Sequence, residues 1–138
     1  MARHSLTRWR NLQDLDLTLV PGSPGAYQVA TNRPLARTVG VDPLGIIDIG
    51  ESTNLRKRLK NFMRCAAQRG QEGHMAAWRY NHFHLERHLP LASLRVRWVV
   101  TKDKPAAYRA ECKMLNRYLH RHCELPPLNY KFNWDMFD

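Results

Sequence analysis

Short apolar runs bounded by turn residues predict three β-strands in this chain. The first, residues 25–30, follows a turn rich in Pro and Gly and carries Tyr27 and Val29 on one side. The second, residues 46–49, is rich in Ile and ends at a glycine. The third, residues 94–101, alternates apolar residues with arginines, which is typical of a half-buried strand. Because the first two strands are consecutive, we expect them to form an antiparallel pair.

Helical periodicity and capping residues predict three helices. The first covers residues 55–68 and follows a Ser-Thr-Asn sequence whose side-chain oxygens can cap it. The second covers residues 74–88 and is stopped by a proline, and the third covers residues 105–122 after an Asp cap. The mixed pattern of residues 5–20 predicts a short helix followed by an extended arm. From residue 126 onward we expect an irregular tail.

The order strand, strand, helix, helix, strand, helix predicts an α+β fold. We expect a small three-stranded, mainly antiparallel sheet flanked by helices. A chain of 138 residues with 43% hydrophobic residues can build one core, since proteins of this size bury about two thirds of their unfolded surface. The sequence therefore predicts a single domain over residues 1–138, with an N-terminal arm over residues 1–23.

The chain is strongly basic, with 22 Lys and Arg against 12 Asp and Glu and a net charge of +10. Such a charge makes polyanions the natural partners, with nucleic acid first and an anionic membrane surface second. No apolar run approaches the roughly 18 residues of a membrane span, so no spanning helix is expected, and of the two polyanions we expect nucleic acid and not a membrane as the partner. Three cysteines without paired spacing argue against a secreted disulfide scaffold. We therefore expect a cytoplasmic location, with association with the nucleoid as an alternative.

One acidic residue interrupts the apolar face of the last predicted helix. At ~100° per residue, Glu111 falls among Met114, Leu115 and Tyr118, whereas Lys113 lies on the opposite side. An ionised carboxylate in that position costs several kcal/mol of desolvation unless a cation or several donors meet it. Two interpretations are open: a structural ion pair with an arginine from another element, or a metal-binding or catalytic role.

The first predicted helix carries a basic face. Arg58 stands apart from it, because it lies only ~40° from Phe62 at the edge of the apolar stripe, where its guanidinium can reach across the sheet. The other basic residues form either a solvated face or a surface that follows phosphates, and the net charge of +10 favours phosphates. The candidate nucleic-acid-binding residues are Arg56, Lys57, Lys60, Arg64 and, from the second helix, Arg79.

Four fragments in order resemble the GIY-YIG nuclease superfamily. Residues 25–27, Gly-Ala-Tyr, are similar to its first motif. Residues 47–59 are similar to its second motif followed by the catalytic arginine, which would be Arg58. Glu111 resembles the metal-binding glutamate of the family, and Asn129 resembles its trailing asparagine. Each fragment alone is a weak signal, but four in the right order are much stronger.

This resemblance, which covers about residues 24–130, implies a metal-dependent endonuclease that hydrolyses phosphodiester bonds, with DNA as the expected substrate. Glu111 would hold one divalent cation, Mg²⁺ or Mn²⁺, because hard cations take oxygen ligands. Arg58 would clamp the scissile phosphate and stabilise charge in the transition state. Tyr27 would act as general base or position the attacking water, and Asn129 would orient the site through hydrogen bonds.

The main departure from the family pattern is Asp48, which stands where the family has its second tyrosine. A carboxylate about 5 Å from a phosphate repels it by roughly 3 kcal/mol at a dielectric constant near 20, or about a hundredfold in rate. A second cation or a salt link to Arg58 would offset this repulsion. We expect an active site that includes Asp48, because the other four site residues are present.

Two alternative functions are open. One is a catalytically impaired GIY-YIG module that binds nucleic acid without cleaving it, which the carboxylate of Asp48 would explain. The other is a basic structural nucleic-acid-binding protein unrelated to nucleases, which explains the charge but not Glu111.

Histidines offer a competing metal site. His84 and His88 lie four residues apart in a predicted helix, and His120, His122 and Cys123 cluster at a helix end. These spacings are compatible with zinc, although histidines at the C-terminus of a helix are also favoured by the helix dipole. No Cys-x-x-Cys pair accompanies them.

The second predicted helix has further candidate contacts to nucleic acid. His74 and His82 are candidates for contacts to phosphate. Trp78, Tyr80 and Phe83 could form a surface on which bases stack, but at such density in a helix the core interpretation is favoured.

Overall fold

The computed structural model describes residues 5–67 and 73–131. The fold is α+β, as the pattern of elements predicted. Among the described residues, no helix is both long enough and apolar enough to cross a membrane. The strands are β1 (Arg10–Asn11), β2 (Gly25–Ala30), β3 (Leu35–Ala36), β4 (Val41–Asp42), β5 (Ile46–Ser52) and β6 (Arg95–Val100), and the helices are α1 (Leu55–Ala67), α2 (Met75–His82) and α3 (Lys104–His122).

The main sheet is antiparallel throughout, with the strand order β1-β6-β2-β5. Its three long strands are the three predicted ones, and β1 adds a fourth. The small strands β3 and β4 pair with each other in the connection between β2 and β5. The expected three-stranded sheet is therefore one strand too small, because β6 has a free edge that the N-terminal segment covers.

The expectation for residues 5–20 is wrong in its order. The segment is extended first, with Arg10 paired to Val96 of β6, and only then forms one 3-10 turn at Leu17–Leu19. Leu12 and Leu15 point into the core, with exposed fractions of 0% and 9%. Pairing with the sheet edge satisfies the backbone of this segment, so its weak helical pattern does not decide its structure.

The second helix is shorter than predicted. It ends at His82 instead of continuing to residue 88, and His84 adopts a left-handed backbone with φ of 58°. The chain then makes a 3-10 turn at Leu85–Arg87. The left-handed residue ends the helical hydrogen-bond ladder before the proline that the sequence suggested as the stop. α1 and α3 follow their predicted ranges closely.

Both faces of the sheet are buried. A shift of register between β2 and β5 determines which residues of β5 lie on which face. Val29 pairs with Asp48 and Ala30 pairs with Ile46, so Ile47 has no partner on β2. Ile47 packs in the core that α1 and α2 build, whereas Ile46 and Ile49 pack with Leu115 and Tyr118 of α3.

The outer edge of β5 is covered by the segment that follows α3. The N–H of Leu128 donates to the carbonyl of Ile47 at 2.8 Å. The side chain of Asn129 then bonds both backbone groups of Ile49: its Oδ1 accepts from N–H at 3.0 Å and its Nδ2 donates to the carbonyl at 2.8 Å. The tail therefore covers part of the outer edge of β5 and places Asn129 beside Ile49.

Candidate active site

All five residues that the sequence proposed as catalytic line one cleft at the edge of β5. The cleft has a volume of about 150 Å³. The five residues are Tyr27, Asp48, Arg58, Glu111 and Asn129. They come from five different parts of the fold, in order β2, β5, α1, α3 and the segment after α3. The cleft also includes residues that the sequence argument did not place there, among which Glu51, His74 and Lys131 carry chemistry.

Tyr27 is held in the cleft by a histidine. Its hydroxyl oxygen lies 2.8 Å from Nε2 of His74, which precedes α2 as the capping residue. The N–H of Ala77 donates to Nδ1 of the same ring at 3.4 Å, so in the neutral ring Nε2 carries the proton. His74 therefore donates to Tyr27, and the phenolic O–H is left to donate to another group.

Both members of this pair are held in their neutral forms. Burial raises the pKa of Tyr27 far above its usual value, and the charge of Asp48 adds to the rise while Arg58 opposes it. Burial also lowers the pKa of His74 to about 3, with Arg58 contributing. Of the two roles expected for Tyr27, positioning a water fits this environment, whereas a general base needs a phenolate that the site disfavours.

The backbone of β5 leaves room for the tyrosine ring. Gly50 lies directly opposite Tyr27 in the antiparallel register. A Cβ atom at Gly50 would collide with the hydroxyl and the ring of Tyr27. The glycine of the second motif is therefore needed for close approach of the ring to the strand.

Asp48 is buried at the bottom of the cleft, with 3% of its surface exposed. Burial raises its pKa to about 7, although Arg58, Arg79 and the N–H of Ile49 oppose the rise. Oδ2 of Asp48 and Nε of Arg58 are both buried without a hydrogen-bond partner among the described residues. Among the described residues, Asp48 and Arg58 do not form an ion pair within 4.0 Å. The salt link expected from the sequence is therefore only a longer-range attraction between the two side chains.

Glu111 lies where the helical wheel predicted, on the inner side of α3 one turn before Leu115. Burial, together with the nearby charges of Glu51 and Asp48, raises its pKa to about 7. Lys131 and Arg58 oppose this rise. Sequence reasoning missed Glu51, although its position directly after the glycine of the second motif was a usable signal.

Asn129 has a positioning role in this geometry. Both ends of its amide are used by the backbone of Ile49, so it fixes the tail against β5 beside the cleft. Arg79 has a similar role, because its Nη1 donates to the carbonyl of Leu128 at 2.8 Å and its guanidinium lies 5.6 Å from the ring of Tyr130. Arg79, which the sequence suggested as a nucleic-acid-binding residue, thus contacts the tail in the structure.

The basic face of α1 is present as predicted. Lys57, Lys60 and Arg64 are exposed on α1. Arg56 is also exposed, but its Nε donates to the carbonyl of Val20 at 2.8 Å and so anchors the N-terminal segment. The exposed cations therefore belong to the helix that also brings Arg58 into the cleft.

The histidine-based zinc site is not formed in the described part of the chain. α2 ends before His84, so His84 and His88 do not share a helical face. Nδ1 of His122 lies 2.9 Å from the carbonyl of Val39, to which it donates. Across residues 5–67 and 73–131, no group of three or more His, Cys, Asp or Glu side chains is arranged to hold a metal ion.

The aromatic residues of the second helical segment divide between core and surface. Tyr80 is fully buried and donates to the carbonyl of Leu89 at 2.7 Å, as the core interpretation predicted. Phe83 is 66% exposed, so that interpretation is wrong for it. Trp78 stacks on His82 with ring centroids 4.3 Å apart, and Nε2 of His74 bonds the hydroxyl of Tyr27 in the cleft.

No family model, curated protein or solved structure matches this chain.

Proposed function

We propose that the protein is a divalent-metal-dependent endonuclease that hydrolyses phosphodiester bonds, with DNA as its expected substrate. The observation that supports this is that all five residues named by the family resemblance line one cleft, and two of them, Arg58 and Glu111, also stand out by their positions on their helices. The cleft combines carboxylates, a guanidinium and a phenol, which are the groups that bind a cation, hold a phosphate and place a water. The net charge of +10 favours a polyanionic substrate.

The residues of the cleft fit a hard cation. Glu111, Glu51 and Asp48 supply carboxylate oxygens, and Oε2 of Glu51 and Oδ2 of Asp48 are buried without hydrogen-bond partners in the described chain. Mg²⁺ is usually bound through one or two carboxylates together with water and phosphate oxygens, so a cluster of three protein ligands is not required. These residues would hold the ion, which would supply positive charge against the phosphate during hydrolysis.

The side chains of the protein would perform three tasks. Arg58 would bind the scissile phosphate, because its buried Nε lacks a partner and its guanidinium lies among the carboxylates of the cleft. His74 orients Tyr27, whose free O–H can hold an attacking water. Asn129 fixes the wall of the cleft by its two bonds to β5.

The proposal is tested by incubating the pure protein with supercoiled plasmid and Mg²⁺ or Mn²⁺. We expect nicking that requires the metal and is lost in Glu111→Ala. Asp14→Asn, which removes an exposed carboxylate of the N-terminal segment, is the matched control and should nick normally. A native protein that binds DNA but leaves plasmid intact under all metal conditions contradicts the proposal.

A second candidate is a module that binds nucleic acid without cleaving it. It is favoured by one observation, the buried carboxylate of Asp48 in the cleft that would receive the phosphate. In that case a gel shift should show salt-dependent binding without nicking. A basic structural protein would differ again, since its binding should be unaffected by Arg58→Ala and Glu111→Ala.

A further inference from the structure

A second glutamate, Glu51, lines the cleft together with Glu111. Ile49 of β5 and Leu115 of α3 pack in the same hydrophobic cluster. Glu51 lies two residues beyond Ile49 on the same face of the strand, about 6.6 Å away along it. Glu111 lies one turn before Leu115, about 6 Å along the helix. Both glutamates line the cleft. Among the charged side chains, Glu51 has the largest effect on the pKa of Glu111.

This arrangement leaves carboxylate oxygens without donors. Oε2 of Glu51 is buried and has no hydrogen-bond partner among the described residues. Asp48, which lines the same cleft and is only 3% exposed, has an unpartnered Oδ2 as well. Burying two carboxylate oxygens without hydrogen-bond partners is costly unless a cation compensates them. Both unpartnered oxygens belong to residues that line this one cleft, so the cleft suits a positive charge.

We propose that Glu51 is a second protein ligand of the divalent cation, which binds between Glu51 and Glu111 before nucleic acid arrives. The inference rests on the metal requirement of the proposed function, but it concerns a residue that the family resemblance did not assign. Two carboxylates provide two negative charges for one divalent ion, and water completes its coordination shell. A site with Glu111 alone would instead depend on the phosphate of the substrate to hold the ion.

The test is direct binding of Mn²⁺ in the absence of nucleic acid, measured by calorimetry and by the loss of the free Mn²⁺ electron paramagnetic resonance signal. Replacing even the indirect partners of a metal typically costs about 10- to 100-fold in affinity, so loss of a ligand should cost at least tenfold. We therefore expect Glu51→Gln and Glu111→Gln each to weaken binding by tenfold or more. The control Asp14→Asn should bind Mn²⁺ as the native protein does. Unchanged affinity in Glu51→Gln overturns the inference.

A second measurement needs no variant. A cation that binds the folded protein raises its melting temperature by mass action. Adding Mn²⁺ to the native protein, previously treated with EDTA, should therefore raise the melting temperature, and the absence of any rise overturns the inference. Circular dichroism of Glu51→Gln without metal should show a folded protein, because the change removes one of two facing like charges.

The inference and the proposed function can fail separately. If both glutamates are needed for Mn²⁺ binding but plasmid stays intact, the cation site stands and the hydrolase function fails. If only Glu111→Gln loses Mn²⁺ binding and the native protein nicks plasmid, the hydrolase function stands and Glu51 is not a ligand.

Discussion

Replacing Asp48 with Asn should stabilise the protein, and more so at high pH. The carboxyl group is 3% exposed, and burial raises its pKa from the ordinary 3.8 to about 7. Because the folded state holds this proton more tightly than the unfolded state, ionisation destabilises the fold as the pH rises between these two values. Asn has the same shape as the protonated acid and cannot ionise, so the variant avoids this loss.

The magnitude follows from the two pKa values. One pKa unit corresponds to about 1.4 kcal/mol, so the buried charge of Asp48 costs about 4 kcal/mol at about pH 8. At about pH 5 the carboxyl group is largely ionised in the unfolded state only, and this difference lowers the free energy of unfolding by about 2 kcal/mol. The stabilisation by Asp48→Asn should therefore roughly double between these conditions. Both figures are upper limits, because the charge of Arg58 remains in the variant and then lacks a nearby carboxylate.

Urea unfolding of the native protein and of Asp48→Asn, in EDTA at about pH 5 and about pH 8, measures this difference. The control Asp14→Asn changes an exposed residue and should shift the free energy of unfolding by less than about 0.5 kcal/mol at either pH. A gain from Asp48→Asn that is equal at both pH values, or larger at low pH, would refute the argument that Asp48 is a buried and partly protonated acid.

Three further predictions concern the cleft. Arg58→Ala should abolish single-turnover cleavage at saturating protein, and unchanged cleavage in this variant would contradict the role of Arg58. Lys60→Ala should mainly weaken DNA binding and lower its salt dependence by about one counterion. Nicking rates of the native protein and of Asp48→Tyr decide whether Asp48 impairs the site. If the native protein nicks plasmid and the variant is no faster, the result supports an active enzyme. If the native protein is inactive and the variant nicks plasmid, the result supports the binding module. Gly50→Ala should destabilise the protein by about 1 to 3 kcal/mol, because its Cβ would push Tyr27 out of place, and native-like urea unfolding of this variant would show that the close contact is not maintained.

The sequence alone determined the long elements and several members of the site. Periodic runs of apolar residues define β2, β5, β6 and the three helices, because packing one face of each element against a core requires that period. The position of Glu111 followed from the same periodicity, since one helix fixes the angle between Glu111 and Leu115. Arg58 was identified by its place at the edge of the apolar stripe of its helix, which is also a local property.

Tertiary structure decided what depends on contacts between distant segments. The order at residues 5–20 came from the free edge of β6, and the length of α2 from the left-handed residue His84, neither of which has a periodic signature. The bond between His74 and Tyr27 and the approach of Glu51 to Glu111 join residues far apart in sequence. Local propensity contains no information about such distances, so only the packing of α2 and α3 around the sheet brings these groups together and sets the charge balance of the cleft.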